Sequence, residues 1–252
     1  MGIKQKLKEI MIGLTPGVLR RAIEMPHKAK LRSREQMDRY INLSFSQEGE
    51  DLVLYRLMGH KTSGFYVDIG AHHPFRFSNT YKFYLMGWKG INLDPLPGSM
   101  ELFNEKRPND INLELPVLNS SNTFLTYYMF QEPALNTFDE ATALEREKIS
   151  PTDKIINRLS VKAYKLAEIL DMHLPPGQKI DFFSIDVEGM DMEVIQSNDW
   201  SKYRPLYIVI ESLLTHLEDD LKSPVSAYLN ALHYQLIAKT ANSLIYKNEG
   251  VF

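Results

Sequence analysis

Four apolar runs of this 252-residue chain end in an acid. Phe65–Tyr66–Val67 ends in Asp68, Gly90–Ile91–Asn92–Leu93 in Asp94, the run from Ile180 to Ile185 in Asp186, and Tyr207–Ile208–Val209–Ile210 in Glu211. A carboxylate at such a place can hold a hydroxyl, a cation or a proton. In an open parallel sheet, ligands bind beyond the carboxyl ends of the strands. The four side chains are therefore expected to converge on one crevice, suited to a cationic or hydroxyl-rich ligand. Asp94 lies about 25 residues past the end of the first run, where a nucleotide-binding sheet keeps the acid that holds a ribose diol. A single aspartate after a strand serves equally well as a helix cap or turn former. Four in matching places favour a shared site.

The turn after the first run, Asp68–Ile69–Gly70–Ala71–His72–His73–Pro74, separates cofactor classes. A dinucleotide fingerprint spaces its glycines G-x-G-x-x-G so that backbone amides approach a pyrophosphate. Here the second glycine is replaced by His72, and Pro74 removes an amide where a phosphate needs a donor, which disfavours NAD and FAD. A ligand without phosphate fits better. S-adenosylmethionine combines an adenosine, a ribose and an amino-acid tail with no phosphate.

These residues need elements to position them. From Phe45 onward, short apolar runs alternate with helical segments, the pattern of βαβ units around a parallel sheet. The spacing predicts a helix over about 47–57 capped by Ser46, a strand over 65–70, a crossover helix over 79–86 stopped by Gly87, and a strand over 90–94 barred by Pro95. A helix over 100–106 and a strand over 111–117 follow. Residues 123–128 alternate like a strand, 136–150 read as a loop or irregular helix, and 161–163 as a short strand before a helix ending near Met172. Strands over 180–186 and 207–211 flank a helix that follows Gly189. Ser223–Pro224 opens another helix to about His233, and residues 234–239 and 243–247 form a terminal hairpin.

Composition sets the outer bounds. With 44% hydrophobic and 24% charged residues the chain can bury a full core without staples. The absence of cysteine excludes disulfides, thiolate zinc sites and a cysteine nucleophile, and is compatible with a reducing compartment such as the cytoplasm. No apolar run reaches the roughly 18 residues that span a bilayer. Residues 1–39 hold ten Lys or Arg against four acids, so a basic arm precedes an acidic body, a poor general binder of nucleic acid. Ile3, Leu7, Ile10, Met11 and Leu14 follow helical spacing with lysines between them, and Thr15–Pro16 opens a second helix. Residues 27–36 read as a linker. The arm over 1–43 either packs on the body or on a second copy of the chain, or lies through residues 1–24 on the inner face of a membrane.

Several segments resemble the FkbM-type methyltransferases: Phe65 to His72, Ser78–Asn79–Thr80, Gly87–Trp88–Lys89–Gly90–Ile91–Asn92–Leu93–Asp94–Pro95, and Ile185–Asp186–Val187–Glu188–Gly189–Met190–Asp191. Ser46–Gln47–Glu48–Gly49–Glu50–Asp51 is similar to the opening segment of that family. The resemblance covers about residues 44–247 and leaves the arm outside, giving a domain over 44–252. It implies an α/β, Rossmann-like class I fold with a mostly parallel seven-stranded sheet and an antiparallel C-terminal hairpin. It also implies transfer of a methyl group from S-adenosylmethionine, mostly to hydroxyl oxygens of sugars in glycans or of secondary metabolites. By position, Asp68, Gly70 and Ala71 line the methionine end of the cofactor, Asp94 binds the ribose, and Asp186 and Glu188 face the methyl group and acceptor. Many relatives carry Asn or another small polar residue at the place of His72.

A sugar hydroxyl is a weak nucleophile, so a base to receive its proton would help. Asp186 is the first candidate and Glu188 the second. His216 is the alternative because imidazole titrates near neutrality, with His72 and His73 as further options. A second mechanism binds Mg²⁺ through Asp186, Glu188 and Glu211 and lets the metal lower the acceptor's pKa. His72, Ser78, Asn79 and Thr80 are expected to complete the cofactor site, the last two with donors for its carboxylate. Gln47 and Glu211 are candidates for the acceptor. Trp88, Tyr127, Tyr128 and Phe130 are expected in the core. The insertion at about 119–162 and the arm are the expected acceptor-recognition or oligomer elements. A nucleotide-binding oxidoreductase and a non-catalytic binding module are the rival readings. The missing glycines weigh against the first, and the intact acids against the second.

Overall fold

The computed structural model describes residues 41–119 and 124–250. The chain divides into two units, Met1–Leu43 and Ser44–Phe252, and every element below belongs to the second. The helices expected within residues 1–23 and the linker at 27–36 lie outside the described residues.

In chain order the elements are α1 (Glu50–Leu57), β1 (Phe65–Ile69), α2 (Tyr81–Leu85), β2 (Lys89–Leu93), α3 (Ser99–Lys106), β3 (Ile111–Leu113), β4 (Phe124–Phe130), α4 (Glu140–Ile149) and β5 (Ile155–Lys162). After these come α5 (Leu166–His173), β6 (Phe182–Ile185), α6 (Asp191–Gln196), β7 (Tyr207–Glu211), α7 (Leu217–Lys222), α8 (Pro224–Ala231), β8 (Tyr234–Lys239) and β9 (Ser243–Asn248). Seven strands form one sheet in the order β3-β2-β1-β6-β7-β9-β8. The first five are parallel, and β9 runs antiparallel to both β7 and β8. The architecture is the Rossmann-like α/β fold expected of a class I methyltransferase. β4 and β5 pair with each other in a separate antiparallel ribbon.

Strand residues alternate between faces. In β1, Phe65, Val67 and Ile69 join the cluster that includes Leu166, Ile169 and Leu170 of α5 and Val194 and Ile195 of α6. Tyr66 packs on the other side with Leu54 of α1, Phe83 of α2, Trp88 and Phe182. Both faces of β1 are thus covered, as a central parallel strand requires. Burying side chains of this size contributes about 1.5–3 kcal/mol each, which is what holds the strand ends in place.

Several boundaries differ from expectation for identifiable reasons. α1 starts at Glu50 rather than about 47, with Gly49 as its N-cap. The Ser46 hydroxyl instead donates to Asp51 Oδ1 at 3.0 Å, part of a knot in which Ser44 and the Phe45 N–H also bind that carboxylate. β3 stops at Leu113 because the Leu115 N–H turns back to Leu113 O, and Pro116 has no N–H to extend a ladder. Residues 136–150 contain a regular helix, α4, capped by Asp139, whose side chain accepts from the Thr142 N–H at 2.6 Å. Only Ala143 of that helix is buried, so no apolar stripe announced it. β5 reaches back to Ile155, where expectation began at 161, because its residues are largely exposed and do not alternate. α7 is a further helix that the apolar pattern did not show.

Candidate active site

The register of the sheet places the acids. Its last paired residues are Ile69 with Leu93, Ile69 with Ile185, and Ile185 with Ile210. Gly70, Asp94, Asp186 and Glu211 therefore leave β1, β2, β6 and β7 in one row. A cavity of about 390 Å³ opens over that row, lined by these residues and by Asp68 and Ala71. Gly70 fixes the two central turns against each other. Its φ is +79°, and a Cβ there would stand 1.7 Å from the Asp186 carbonyl oxygen, so only glycine allows β1 and β6 to exit this close together.

At one end of the cavity the turn after β1 wraps the Asp94 carboxylate. Its Oδ2 accepts the His72 N–H at 3.0 Å and its Oδ1 the Leu96 N–H at 2.8 Å. Burial raises the Asp94 pKa to about 6, even though these hydrogen bonds favour the charged form. Gly70 and Ala71 both donate to Leu93 O, His73 to Ala71 O, and Phe75 and Arg76 to His73 Nδ1. Every backbone N–H from residue 70 to 76 is thus satisfied within the protein, and Pro74 has none to give. A diphosphate needs such amides free. His72 takes a left-handed conformation, φ +50°, which Asn adopts more readily than most residues. That explains why a small polar residue suits the position and how His72 also serves there. Asp68 is buried, and its Oδ2 accepts from Thr80 Oγ1 at 2.6 Å.

At the other end, one oxygen from each of Asp186, Glu188 and Glu211 lies within 4.8 Å of the others. Asp186 is an exposed residue of the cavity lining, with protein packed around its carboxylate. Its pKa is pushed well up by burial first and then by the charges of Glu211 and Glu188. Glu211 is raised for the same reasons, by burial and then by Glu188 and Asp191. Glu188 sits at φ +54° and is ion-paired with Arg146 of α4, whose Nη1 also donates to Leu135 O at 2.7 Å. The inserted helix thereby supplies one positive charge to a ring of acids.

Residues 68–236 match the methyltransferase FkbM domain, a span that contains the strand-end acids just described. The chain belongs to the FkbM methyltransferase family. It is an S-adenosylmethionine-dependent methyltransferase. No curated protein matches it. Among solved structures it is similar to a precorrin-6y C5,15-methyltransferase from Geobacter metallireducens GS-15, with 11% identity, 78% of this chain and 87% of that chain covered, and a TM-score of 0.42. It is also similar to the C-terminal domain of precorrin-6Y C5,15-methyltransferase from Rhodobacter capsulatus, with 13% identity, 79% and 86% covered, and a TM-score of 0.38. A third is a methyltransferase from Geobacter sulfurreducens, with 10% identity, 97% and 96% covered, and a TM-score of 0.39.

The saturated amides of the turn suit a nucleoside without phosphate, and each Asp94 oxygen has a second lone pair to offer a ribose hydroxyl. Of the residues singled out in the sequence, Gln47, Asp68, Gly70, Ala71, His72, Ser78, Asn79, Asp94, Asp186, Glu188 and Glu211 line the one cavity. Two do not. Thr80 is fully buried and spends its hydroxyl proton on Asp68, so it cannot donate to a ligand. His216 is the exposed N-cap of α7 and lies outside the cavity lining.

Trp88, Tyr128 and Phe130 are buried as expected, but Tyr127 lines the FkbM cavity instead of serving only the core. Its pKa is raised by burial first and then by the Asp94 charge. Asn136, Thr137, Phe138 and Arg146 of the insertion and Asn242 of the β8–β9 turn also line the cavity and were missed. Asn136 and Asn242 lie in turns, where polarity is ordinary. Arg146 is one of several charges on an exposed helix, and neither type of signal separates site from surface.

Proposed function

We propose that this FkbM domain methylates a hydroxyl of a saccharide, with Asp186 as the proton acceptor. The observation that carries the reading is the pairing of two unlike ends in one cavity: a phosphate-excluding turn around Asp94, and a cluster of three acids in which Asp186 and Glu211 have raised proton affinity. When bound, S-adenosylmethionine supplies a methyl group already activated on a sulfonium. Asp68, Gly70, Ala71, His72, Ser78, Asn79 and Asp94 hold it, with Asp94 accepting hydrogen bonds from the ribose.

The remaining work belongs to the other end. Asp186 receives the proton of the acceptor hydroxyl, because burial first and then the surrounding Glu211 and Glu188 raise its affinity for one. Arg146 holds Glu188 in place by its ion pair. Gln47, Asn136, Thr137 and Asn242 offer hydrogen bonds, and Phe77 and Tyr127 offer ring faces, on the same wall. Amides and hydroxyls beside aromatic rings are the groups that recognise a polyol with an apolar ring face, which supports a sugar over an apolar metabolite.

Calorimetry with S-adenosylhomocysteine and with NAD tests the cofactor reading: binding of the first and none of the second is expected, and binding of NAD alone overturns it. Labelled methyl transfer to a panel of glycans tests the acceptor. Asp186→Asn is expected to lose about 10²–10⁴-fold in kcat. Full turnover by this variant removes Asp186 as the base. Turnover that chelator abolishes and Mg²⁺ restores would give the acid cluster to a metal instead.

A further inference from the structure

Beneath the cofactor end lies a charged cluster that the reaction does not touch. Arg107 caps the C-terminus of α3 and has no exposed surface. Its Nε donates to Asp110 Oδ2 at 2.9 Å and its Nη2 to Tyr66 Oη at 2.7 Å. Tyr66 Oη in turn donates to Asp110 Oδ2 at 2.8 Å, and the Gly90 N–H holds Asp110 Oδ1 at 2.9 Å. These contacts anchor the guanidinium to the interior strands β1 and β2.

Its remaining nitrogen points the other way. Nη1 donates to Thr80 Oγ1 at 3.0 Å and to Pro74 O at 3.3 Å, with Ser78 Oγ at 3.5 Å. Thr80 Oγ1 lies 2.6 Å from Asp68 Oδ2. A threonine hydroxyl has one proton, and an ionised carboxylate can only accept. The proton therefore goes to Asp68, and Arg107 must fill the lone pair of the same oxygen. The direction of the chain is fixed as Arg107 to Thr80 to Asp68, running from the buried pair to the cavity wall.

We propose that Arg107 is a positioning residue for the cofactor: through Thr80 it orients the Asp68 carboxylate, and through Pro74 it pins the loop that carries Ser78 and Asn79. A guanidinium needed only for packing gains nothing from donors aimed at a ligand-lining loop, and well-packed apolar residues often replace a buried ion pair at no loss of stability. Burial first, and the Asp110 charge as a minor cause, raise the Asp68 pKa, while the Arg107 charge and the Thr80 and Ser184 hydroxyls pull against them, so the donors of this chain favour an ionised Asp68. The proposal rests on the placement of the cofactor against Asp68 and Asp94.

The test uses the full chain, with S-adenosylhomocysteine as the calorimetric probe and urea midpoints recorded in parallel. Thr80→Val is expected to weaken binding at least tenfold and to raise KM for S-adenosylmethionine more than it lowers kcat. Thr80→Ser restores the hydroxyl and is expected within about threefold of wild type. Arg107→Lys is expected to resemble Thr80→Val, and the double variant to be no weaker than the worse single one, because both cut the same chain. Asp94→Ala serves as the control for the cofactor placement. If Asp94→Ala weakens binding while Thr80→Val stays within twofold of wild type, the proposal is overturned and the placement stands. If the wild type does not bind the probe, or Asp94→Ala binds it as well, both fall. Equal loss from Thr80→Ser and Thr80→Val, or fully multiplicative losses in the double variant, also overturns the relay.

Discussion

Several acids in or beside the cavity are in environments that change what their charge costs, and the costs can be measured separately. Burial raises Asp191 to about 7 from the ordinary 3.8, although nearby backbone N–H groups stabilise the charged form. A folded-state pKa above the unfolded one means that stability is complete below the unfolded value and is lost as pH rises through the folded value. Asp191→Asn is therefore expected to leave the melting temperature almost unchanged near pH 4 and to raise it by several degrees at pH 8, in a thermal scan at both pH values. Catalysis runs the opposite way. Asp186 must be ionised to accept a proton, and its pKa is pushed up by burial, Glu211 and Glu188. The acid limb of kcat/KM is thus expected well above the ordinary carboxylate value of about 4. Glu211→Gln removes one of those charges and is expected to move that limb to lower pH, read from a pH-rate profile of variant against wild type.

Among the elements, four of the parallel strands, β1, β2, β6 and β7, were legible because they are largely buried and read as mainly apolar runs closed by an acid, Gly or Pro, whereas the half-buried edge strand β3 was read too long. The terminal hairpin was legible from its two β-rich runs. What could not be read were the elements that turn most of their surface to water, namely α4, α7 and most of β5. The site divides along the same line. Its strand-end acids were found by position, whereas Arg146, Asn136 and Asn242 reach the cavity from elements whose sequence carries no burial signal. α4 owes its start to the Asp139 side chain. Asp139→Ala is expected to cost about 1 kcal/mol by differential scanning calorimetry, and to weaken acceptor binding more than cofactor binding because α4 carries Arg146. At the turn after β1 the margin is far smaller. Gly70→Ala brings a Cβ against the Asp186 carbonyl at positive φ, and a loss above about 4 kcal/mol is expected in urea denaturation.

For the molecule as a whole, the unit from Ser44 to Phe252 contains all the described strands and the entire cavity lining. A chain shortened to residues 44–252 is therefore expected to bind S-adenosylhomocysteine within a few-fold of the full chain by calorimetry. A larger loss would give residues 1–43 a part in the pocket. Within this unit the cofactor end and the acid cluster are not two modules. They meet where Gly70 touches the Asp186 backbone, with no space for either turn to shift. A descendant that needed a new acceptor would find this seam closed to variation, since a side chain at Gly70 displaces the base together with the methyl donor. Its freedom lies in the β4–β5 ribbon and α4, whose largely exposed residues meet no such backbone.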